Sequence, residues 1–293
     1  MLPVRRLETS DPEPVSDGVN RRSIGNDYCL GEKGLVMHDG QTFIVTGASR
    51  GIGRTIARQL LAEGANVALA ARSDGIEETA ATADADDRAF PIRTDVTDEA
   101  SVEDMIDRTA EAFGGLDGVV NNAGIAGPTA PVTDVDADDW DRTMAVNARG
   151  PFLVSKHAAP LLAESDRGSI VTISSISGKR PLEGRTPYAA SKMAVIGLTR
   201  TLAFELGDDD VTVNAVCPGA TEGPRIEDVI TRQAEERGIA YGEAKRTVFT
   251  DDAALGELVD AEDVADTVSF LLGPRARHVT AQDINVDAGT VWY

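Results

Sequence analysis

Tyr188 and Lys192 stand four residues apart, and Ser175 lies thirteen residues before the tyrosine. Four residues is just over one helical turn, so on a helix the phenol and the ammonium project from one face. A free phenol is almost wholly protonated at pH 7. An ammonium at ~4 Å favours its anion by about 4 kcal/mol at an effective dielectric of ~20, and burial opposes part of that gain. The pair is a candidate proton donor and acceptor for work near neutral pH. The same spacing occurs by chance on ordinary amphipathic helices, so the elements that position it carry the argument.

From residue 42 onward, short apolar segments alternate with longer helical patterns. The segments Thr42–Thr46, Asn66–Ala70, Ala89–Thr94, Gly118–Asn121, Ser169–Ser174, Thr212–Cys217 and Gln282–Val286 read as strands. Arg54–Glu63, Val102–Phe113 and Ala189–Leu206 read as helices between them. Near-continuous apolar strands alternating with helices predict an α/β fold, with a doubly wound parallel sheet of about seven strands and helices on both faces. No break after residue 42 marks a second domain. Residues 1–36 carry Pro, Asp, Arg and Gly without a period and read as a polar, disordered or loosely attached extension. Residues 37–293 are the expected folded domain. Met37, just before the first strand, is a candidate natural start; a functional N-terminal arm is the alternative.

The first strand runs into Thr46-Gly47-Ala48-Ser49-Arg50-Gly51-Ile52-Gly53, and a helix follows. Glycines permit the tight turn and let backbone amides approach a pyrophosphate at a helix N-terminus. The spacing Gly-x-x-x-Gly-x-Gly differs from the common Gly-x-Gly-x-x-Gly fingerprint. An NAD site would put an acidic residue at the end of the second strand, on the ribose 2′-hydroxyl. This chain has Ala70-Ala71-Arg72-Ser73 there, and Arg50 sits in the glycine turn. Two guanidinium groups suit a 2′-phosphate, so NADP(H) is expected in preference to NAD(H).

Composition removes other classes. The formal net charge is −21, from 49 acidic and 28 basic residues, with 30 Asp against 5 Lys and 23 Arg. Such a surface repels nucleic acid and anionic membranes. The acid-rich, lysine-poor balance resembles proteins of salt-loving organisms, for which self-repulsion is screened over about 3 Å at molar salt. No apolar run reaches the ~18 residues of a membrane-spanning helix. Arg5-Arg6 is not followed by an apolar export segment, and a cytoplasmic protein is expected. Cys29 and Cys217 form no CxxC pair, and His38, His157 and His278 lack ligand spacing, so no metal site is indicated and the histidines read as surface or packing residues.

Together these residues resemble the short-chain dehydrogenase/reductase family over roughly residues 39–289. The matching motifs are the turn Thr46 to Gly53, Asp95-Val96, Asn121-Asn122-Ala123-Gly124, and Pro218-Gly219. The family's Asn, Ser, Tyr and Lys tetrad falls on Asn147, Ser175, Tyr188 and Lys192. The likeness is to 3-oxoacyl-thioester reductases and related sugar or polyol dehydrogenases. It implies a single-domain Rossmann fold and hydride transfer between a nicotinamide and a carbonyl or secondary alcohol. It further implies cofactor contacts from Gly47, Ser49, Arg50, Gly51, Ile52, Gly53, Arg72, Ser73, Asp95, Val96, Asn122, Ala123, Gly124, Pro218, Gly219 and Thr221, besides Tyr188 and Lys192. Within the resemblance, Tyr188 donates the proton and Ser175, not Ser174, bonds the same oxygen. Lys192 favours the tyrosinate and binds the nicotinamide ribose, and Asn147 holds a water leading to solvent. A homodimer or homotetramer is implied, to which the apolar tail Val291-Trp292-Tyr293 is suited.

Two departures from the family pattern stand out. Where the family often has a threonine contacting the nicotinamide amide, Gly223 occupies the place. The stretch 221–260 is long, with helical patterns at Arg225–Arg237 and Glu243–Phe249, and reads as a substrate lid or an extra packing helix pair. The segment Lys179 to Arg185 holds three cations, Lys179, Arg180 and Arg185. They receive an anionic substrate, such as a sugar acid or coenzyme A ester, or pair with the acidic lid or a neighbouring subunit. Leu182 and Met193 read as pocket or core. The competing functions are an NAD-dependent sugar or hydroxy-acid dehydrogenase, an epimerase or dehydratase on the same fold, and a non-catalytic NADP-binding regulator.

Overall fold

A computed structural model describes residues 37–293 apart from 84 and 86; the expected extension over 1–36 lies outside the described residues. Seven parallel strands form one sheet in the order β3-β2-β1-β4-β5-β6-β7. They are β1 (Thr42–Thr46), β2 (Asn66–Ala71), β3 (Ala89–Arg93), β4 (Gly118–Asn121), β5 (Ser169–Ile173), β6 (Thr212–Pro218) and β7 (Asp283–Val286). Each predicted strand is present, within a residue or two at its ends. The chain winds outward from β1 to β3, then returns to place β4 on the other side of β1. That reversal opens a crevice at the carboxyl ends of β1 and β4, where open α/β sheets bind ligands.

Alternate strand residues face opposite cores, the period of two expected of an extended chain. Phe43, Val45, Val67, Leu69, Val120 and Val171 pack on one face against α1 (Gly51–Ala62), α2 (Gly75–Ala81) and, in sequence the last, the helix Ala261–Leu272. Ile44, Ala68, Ile92, Val119, Ile170 and Val213 pack on the other. There they meet α3 (Glu99–Phe113), α5 (Gly150–Glu164) and α6 (Thr186–Glu205). Between them in sequence, α4 (Ala137–Met144) leads through a π-helical stretch, Ala145–Arg149, straight into α5. After β6 come α7 (Pro224–Arg237), α8 (Tyr241–Lys245) and a second π-helical stretch, Arg246–Thr250; the helix Ala261–Leu272 is α9.

The helices begin earlier than apolar periodicity alone indicated. α1 starts at Gly51, inside the glycine turn, which carries no apolar period. α3 starts at Glu99, where the Asp98 carboxylate accepts a bond from Ala100 N–H at 3.2 Å, an N-cap that offsets orphaned amides. α6 starts at Thr186, with Pro187 in its first turn, where a missing N–H costs nothing.

His38 is neither a surface nor a simple packing residue. It is fully buried, with Nε2 3.0 Å from Ser269 Oγ and Nδ1 3.0 Å from Gln41 Oε1, while the Ser269 hydroxyl donates to Glu63. This network ties the segment before β1 to the end of α1 and to α9. His157 is half-buried and paired with Glu99 at 3.1 Å.

A second clamp joins the sheet edge to α6. Asp283 on β7 meets Lys179 Nζ at 2.7 Å and Arg200 at 2.7 Å. Burial works to raise the Asp283 carboxyl, but the hydrogen bonds from Lys179 and Arg200 outweigh it and hold it below its ordinary value. A carboxyl lowered in the folded state stabilises the fold above its unfolded value of ~3.9, and that contribution is lost as pH falls through the folded value. Asp283→Ala removes the carboxylate partner of the mostly buried Lys179 ammonium, leaving it on main-chain oxygens, and should cost about 3 kcal/mol near neutral pH. Thermal melts from pH 7 to pH 3 should show the gap to the wild type closing below about pH 4.

Candidate active site

The motifs spread through the sequence meet on one edge because all seven strands run parallel, so their carboxyl ends share a side. Gly47 to Gly53 follow β1; Arg72 and Ser73 follow β2; Asp95 and Val96 follow β3; Asn122, Ala123 and Gly124 follow β4; Ser175 follows β5; Pro218 ends β6, with Gly219 and Thr221 beyond it.

The glycine turn fits a dinucleotide's pyrophosphate. A Cβ on Gly53 would lie 2.2 Å from Asn122 Nδ2 and 2.4 Å from Gly47 O, so the turn closes only on glycine. Gly51, at φ +54, has nothing within 4 Å of the place of its Cβ, so bare backbone faces the open crevice. Arg50 precedes α1 without making a side-chain cap bond, and no acidic residue lies in the first turn. Uncapped amides and a positive helix end then face the crevice. Ile52 leans on the core, and Ser49 O accepts two bonds from Arg54. The Thr46 hydroxyl accepts from Asn122 N–H and Ala123 N–H, both at 3.0 Å, and Asn122 Nδ2 donates to Thr46 O at 2.9 Å. These bonds lock the loop after β4 to the turn after β1. Val96 is buried, and a Cβ on Gly150 would come within 2.9 Å of it.

Arg50, Arg72 and Ser73 are exposed at the crevice rim. Arg72 Nη1 lies 3.7 Å from Asp95 Oδ2, a loose pair. Burial works to raise the Asp95 carboxyl, yet hydrogen bonds from Thr97 and the Arg72 charge hold it below its ordinary value. Thr221, expected to contribute through its backbone, has its hydroxyl donating to Gly219 O at 3.2 Å and pairs with Val259.

The tetrad residues converge on the N-terminal half of α6. Lys192 is buried; its Nζ donates to Ile173 O at 2.8 Å and lies 5.7 Å from the Tyr188 ring centroid. The two adjacent serines take different parts. Ser174 donates to Lys192 O at 2.8 Å and braces the helix. Ser175 Oγ accepts from Ser177 N–H at 3.1 Å, capping a short 3₁₀ turn. Its hydroxyl proton is not used in that bond. This turn touches α6 because Gly178 has no side chain: a Cβ there would sit 2.8 Å from the Lys192 carbonyl carbon. Asn147 is buried in the π-helical stretch. Its side chain bonds Ile125 N–H at 2.8 Å, Ile125 O at 2.9 Å and the Ser191 hydroxyl at 3.0 Å. Asn147 Oδ1 and Lys192 Nζ lie 3.4 and 3.8 Å from the Cβ that Gly124 lacks, which places Gly124 between them.

Sequence reasoning passed over Ser191, which links Asn147 to the Tyr188 carbonyl at 2.8 Å. Its place directly before Lys192 was the only signal. It also misplaced several side chains. Lys179 is committed to Asp283 and to the Asp283 carbonyl at 2.6 Å, so it is not a free anion receptor and does not pair with the 221–260 stretch. Arg185 donates to Ala126 O and covers the Tyr188 ring. Leu182 and Met193 are exposed rather than core. Val291 is buried with Ile176, Ile196 and Cys217, so only Trp292 and Tyr293 of the tail remain outside. Burial pushes the Cys217 thiol up to about 11, which makes it a packing residue and no nucleophile.

The chain matches the family described as enoyl-(acyl carrier protein) reductase over residues 47–291. It belongs to the short-chain dehydrogenase/reductase family. A member from Armillaria gallica is 38% identical over 86% of this chain and 97% of its own. The cis-4-hydroxycyclohexanecarboxylate dehydrogenase of Sinomonas cyclohexanicum is 36% identical over 84% and 94%. Among solved structures, the actinorhodin polyketide ketoreductase with NADPH has a TM-score of 0.80 at 34% identity, covering 86% of this chain and 98% of that one. The protein is thus a short-chain dehydrogenase/reductase, an oxidoreductase acting on alcohol or ketone substrates.

The glycine geometry separates binding from folding. Gly51→Val leaves the core untouched but fills the crevice and strains a positive φ. NADPH fluorescence titration should show affinity falling at least about tenfold, equivalent to ~1.4 kcal/mol. Gly53→Ala should instead lower the melting temperature, since its Cβ meets backbone.

Proposed function

We propose that this protein is an NADP(H)-dependent oxidoreductase whose Tyr188 exchanges a proton with the oxygen of a carbonyl or secondary alcohol. When bound, the nicotinamide supplies or accepts the hydride at the adjoining carbon. Tyr188 gives its proton to the developing alkoxide during reduction and takes it back during oxidation. Ser175 donates a hydrogen bond to the same oxygen, where charge develops. Lys192 presents its Nζ 5.7 Å from the Tyr188 ring centroid, and a water held by Asn147 replenishes the proton. The observation that carries this reading is the buried Lys192 ammonium beside the Tyr188 ring. A pure NADP-binding regulator could use that lysine on the ribose, but it has no use for a phenol held beside it with Ser175 at hand.

Preference for NADP(H) rests on Arg72 and Arg50 where an NAD site carries an acid, and the solved relative with NADPH is consistent with it. The Asp95 carboxylate 3.7 Å from Arg72 favours the second reading, an NAD-dependent sugar or hydroxy-acid dehydrogenase, because it offsets the guanidinium. The substrate class is a 3-oxoacyl thioester, sugar acid or polyol. The relative acting on a hydroxycyclohexanecarboxylate adds cyclic hydroxy acids to the compounds worth assaying. The stretch 221–260 is the substrate lid in this reading. It packs around Ile230, Ala234, Ala244 and Leu258, and its two ends pair where Val259 N–H donates to Ala220 O at 2.9 Å. Met193 and Phe204 on α6 and Phe152 on α5 remain exposed and would be covered in a homodimer or homotetramer.

Tyr188→Phe should reduce turnover at least about 10³-fold while NADPH titration stays unchanged; retained turnover would falsify the proton-transfer role. For the cofactor, kcat/KM should be higher with NADPH than with NADH, and Arg72→Asp should reverse the order. An Arg72→Asp enzyme with the wild-type ratio would remove the arginine from recognition. The charge of −21 points to adaptation to salt. Activity and melting temperature should therefore rise between 0.1 and about 2 M KCl, as repulsion is screened.

A further inference from the structure

Arg185 occupies an unfavourable place for its type. It is the N-cap residue of α6, where Ser, Thr, Asp or Asn is preferred, and it makes no side-chain cap bond. A cation there also opposes the positive end of the helix dipole. Two contacts compensate. The guanidinium carbon lies 5.0 Å from the Tyr188 ring centroid, within cation–π range. Nη2 donates to Ala126 O at 2.7 Å.

Ala126 directly follows Ile125, whose backbone N–H and C=O are both held by the Asn147 side chain. Four residues on, Ala130 N–H donates to Gly184 O at 2.9 Å. The loop after β4 is therefore pinned at Ile125 by Asn147, at Ala126 by Arg185, and at Ala130 by the residue before Arg185. A guanidinium can lay its face on a ring while donating in its own plane; an ammonium cannot do both.

We propose that Arg185 is a positioning residue: it holds the Tyr188 ring in its working orientation and fastens the 125–130 loop to the start of α6. The proposal rests on Tyr188 being the proton-transfer group. Arg185 acts through that ring and the loop, not through the substrate.

The test compares Arg185→Met and Arg185→Lys with wild type and Tyr188→Phe, using cyclohexanone and acetoacetate as neutral and anionic ketones with NADPH. Amide hydrogen exchange across residues 125–130 is followed without substrate. In Arg185→Met, kcat should fall about 10–100-fold, the cost of a misplaced group of roughly 1 Å, with KM and the NADPH dissociation constant little changed. Exchange at Ile125 and Ala130, whose N–H groups donate to Asn147 Oδ1 and to Gly184 O, should quicken while the melting temperature holds. Arg185→Lys should recover little of either. Unchanged exchange overturns the proposal, even if neither ketone is turned over. A rise in KM for acetoacetate alone also overturns it, because the guanidinium is then a substrate carboxylate ligand. Full turnover by Tyr188→Phe removes the tyrosine's role and the proposal with it, whereas the exchange result reports on the Arg185–Ala126 link separately.

Discussion

A lysine ammonium taken out of water sets the terms for the rest of this site. Lys192 is 6% exposed, and an uncompensated charge at that depth would not stay charged. The structure answers with the Ile173 carbonyl at 2.8 Å and the negative face of the Tyr188 ring. Both answers impose geometry. The Ile173 carbonyl is the last of β5, so α6 must lie across that strand's end. The ring must sit one turn before the lysine. Gly178 is glycine because the chain leaving Ser175 has to pass against the Lys192 backbone. Ser174 supports that passage with its hydroxyl on Lys192 O.

The cofactor crevice follows a different constraint. Parallel strands need long crossovers, and a sheet that winds both ways from its centre leaves a gap where the direction reverses. Here the gap lies between β1 and β4, and Thr46 and Asn122 stitch its two walls together. The glycines of the turn give that stitching room, while Gly51 keeps bare backbone toward the opening. The buried charge and the crevice meet at Gly124, between Asn147 and Lys192.

The sheet was legible in the sequence for physical reasons, and the four residues proposed for the chemistry were identified there by spacing and motif. Buried parallel strands are apolar on both faces, so segments such as Thr42–Thr46 and Thr212–Cys217 stood out. Tyr188 and Lys192 were visible through helical spacing, and Ser175 and Asn147 through motifs. Helix starts were not visible, because α1 and α3 begin in residues with no apolar period. Side-chain partners were harder still. Lys179 lies in a cationic segment that suggested a substrate, but its partner Asp283 is more than a hundred residues away. Ser191 and Arg185 act through backbone atoms, which leave no mark on a residue pattern. Likewise Met193 is apolar yet exposed, since α6 buries only the side facing the sheet.

The residues from Pro224 to Leu258 gather around a small apolar cluster of their own; they join the rest of the domain at the pairing of Ala220–Glu222 with Val259 and where Leu255 N–H donates to Ala288 O just after β7. The residues proposed for proton transfer lie elsewhere, just after β5 and on α6. If the segment is the proposed lid, sequence drift within that cluster can proceed without touching Tyr188 or Lys192, so one reaction can be offered to different compounds over evolutionary time. The same division makes the segment a unit for grafting between relatives, provided both junctions, at Val259 and at Leu255, are kept.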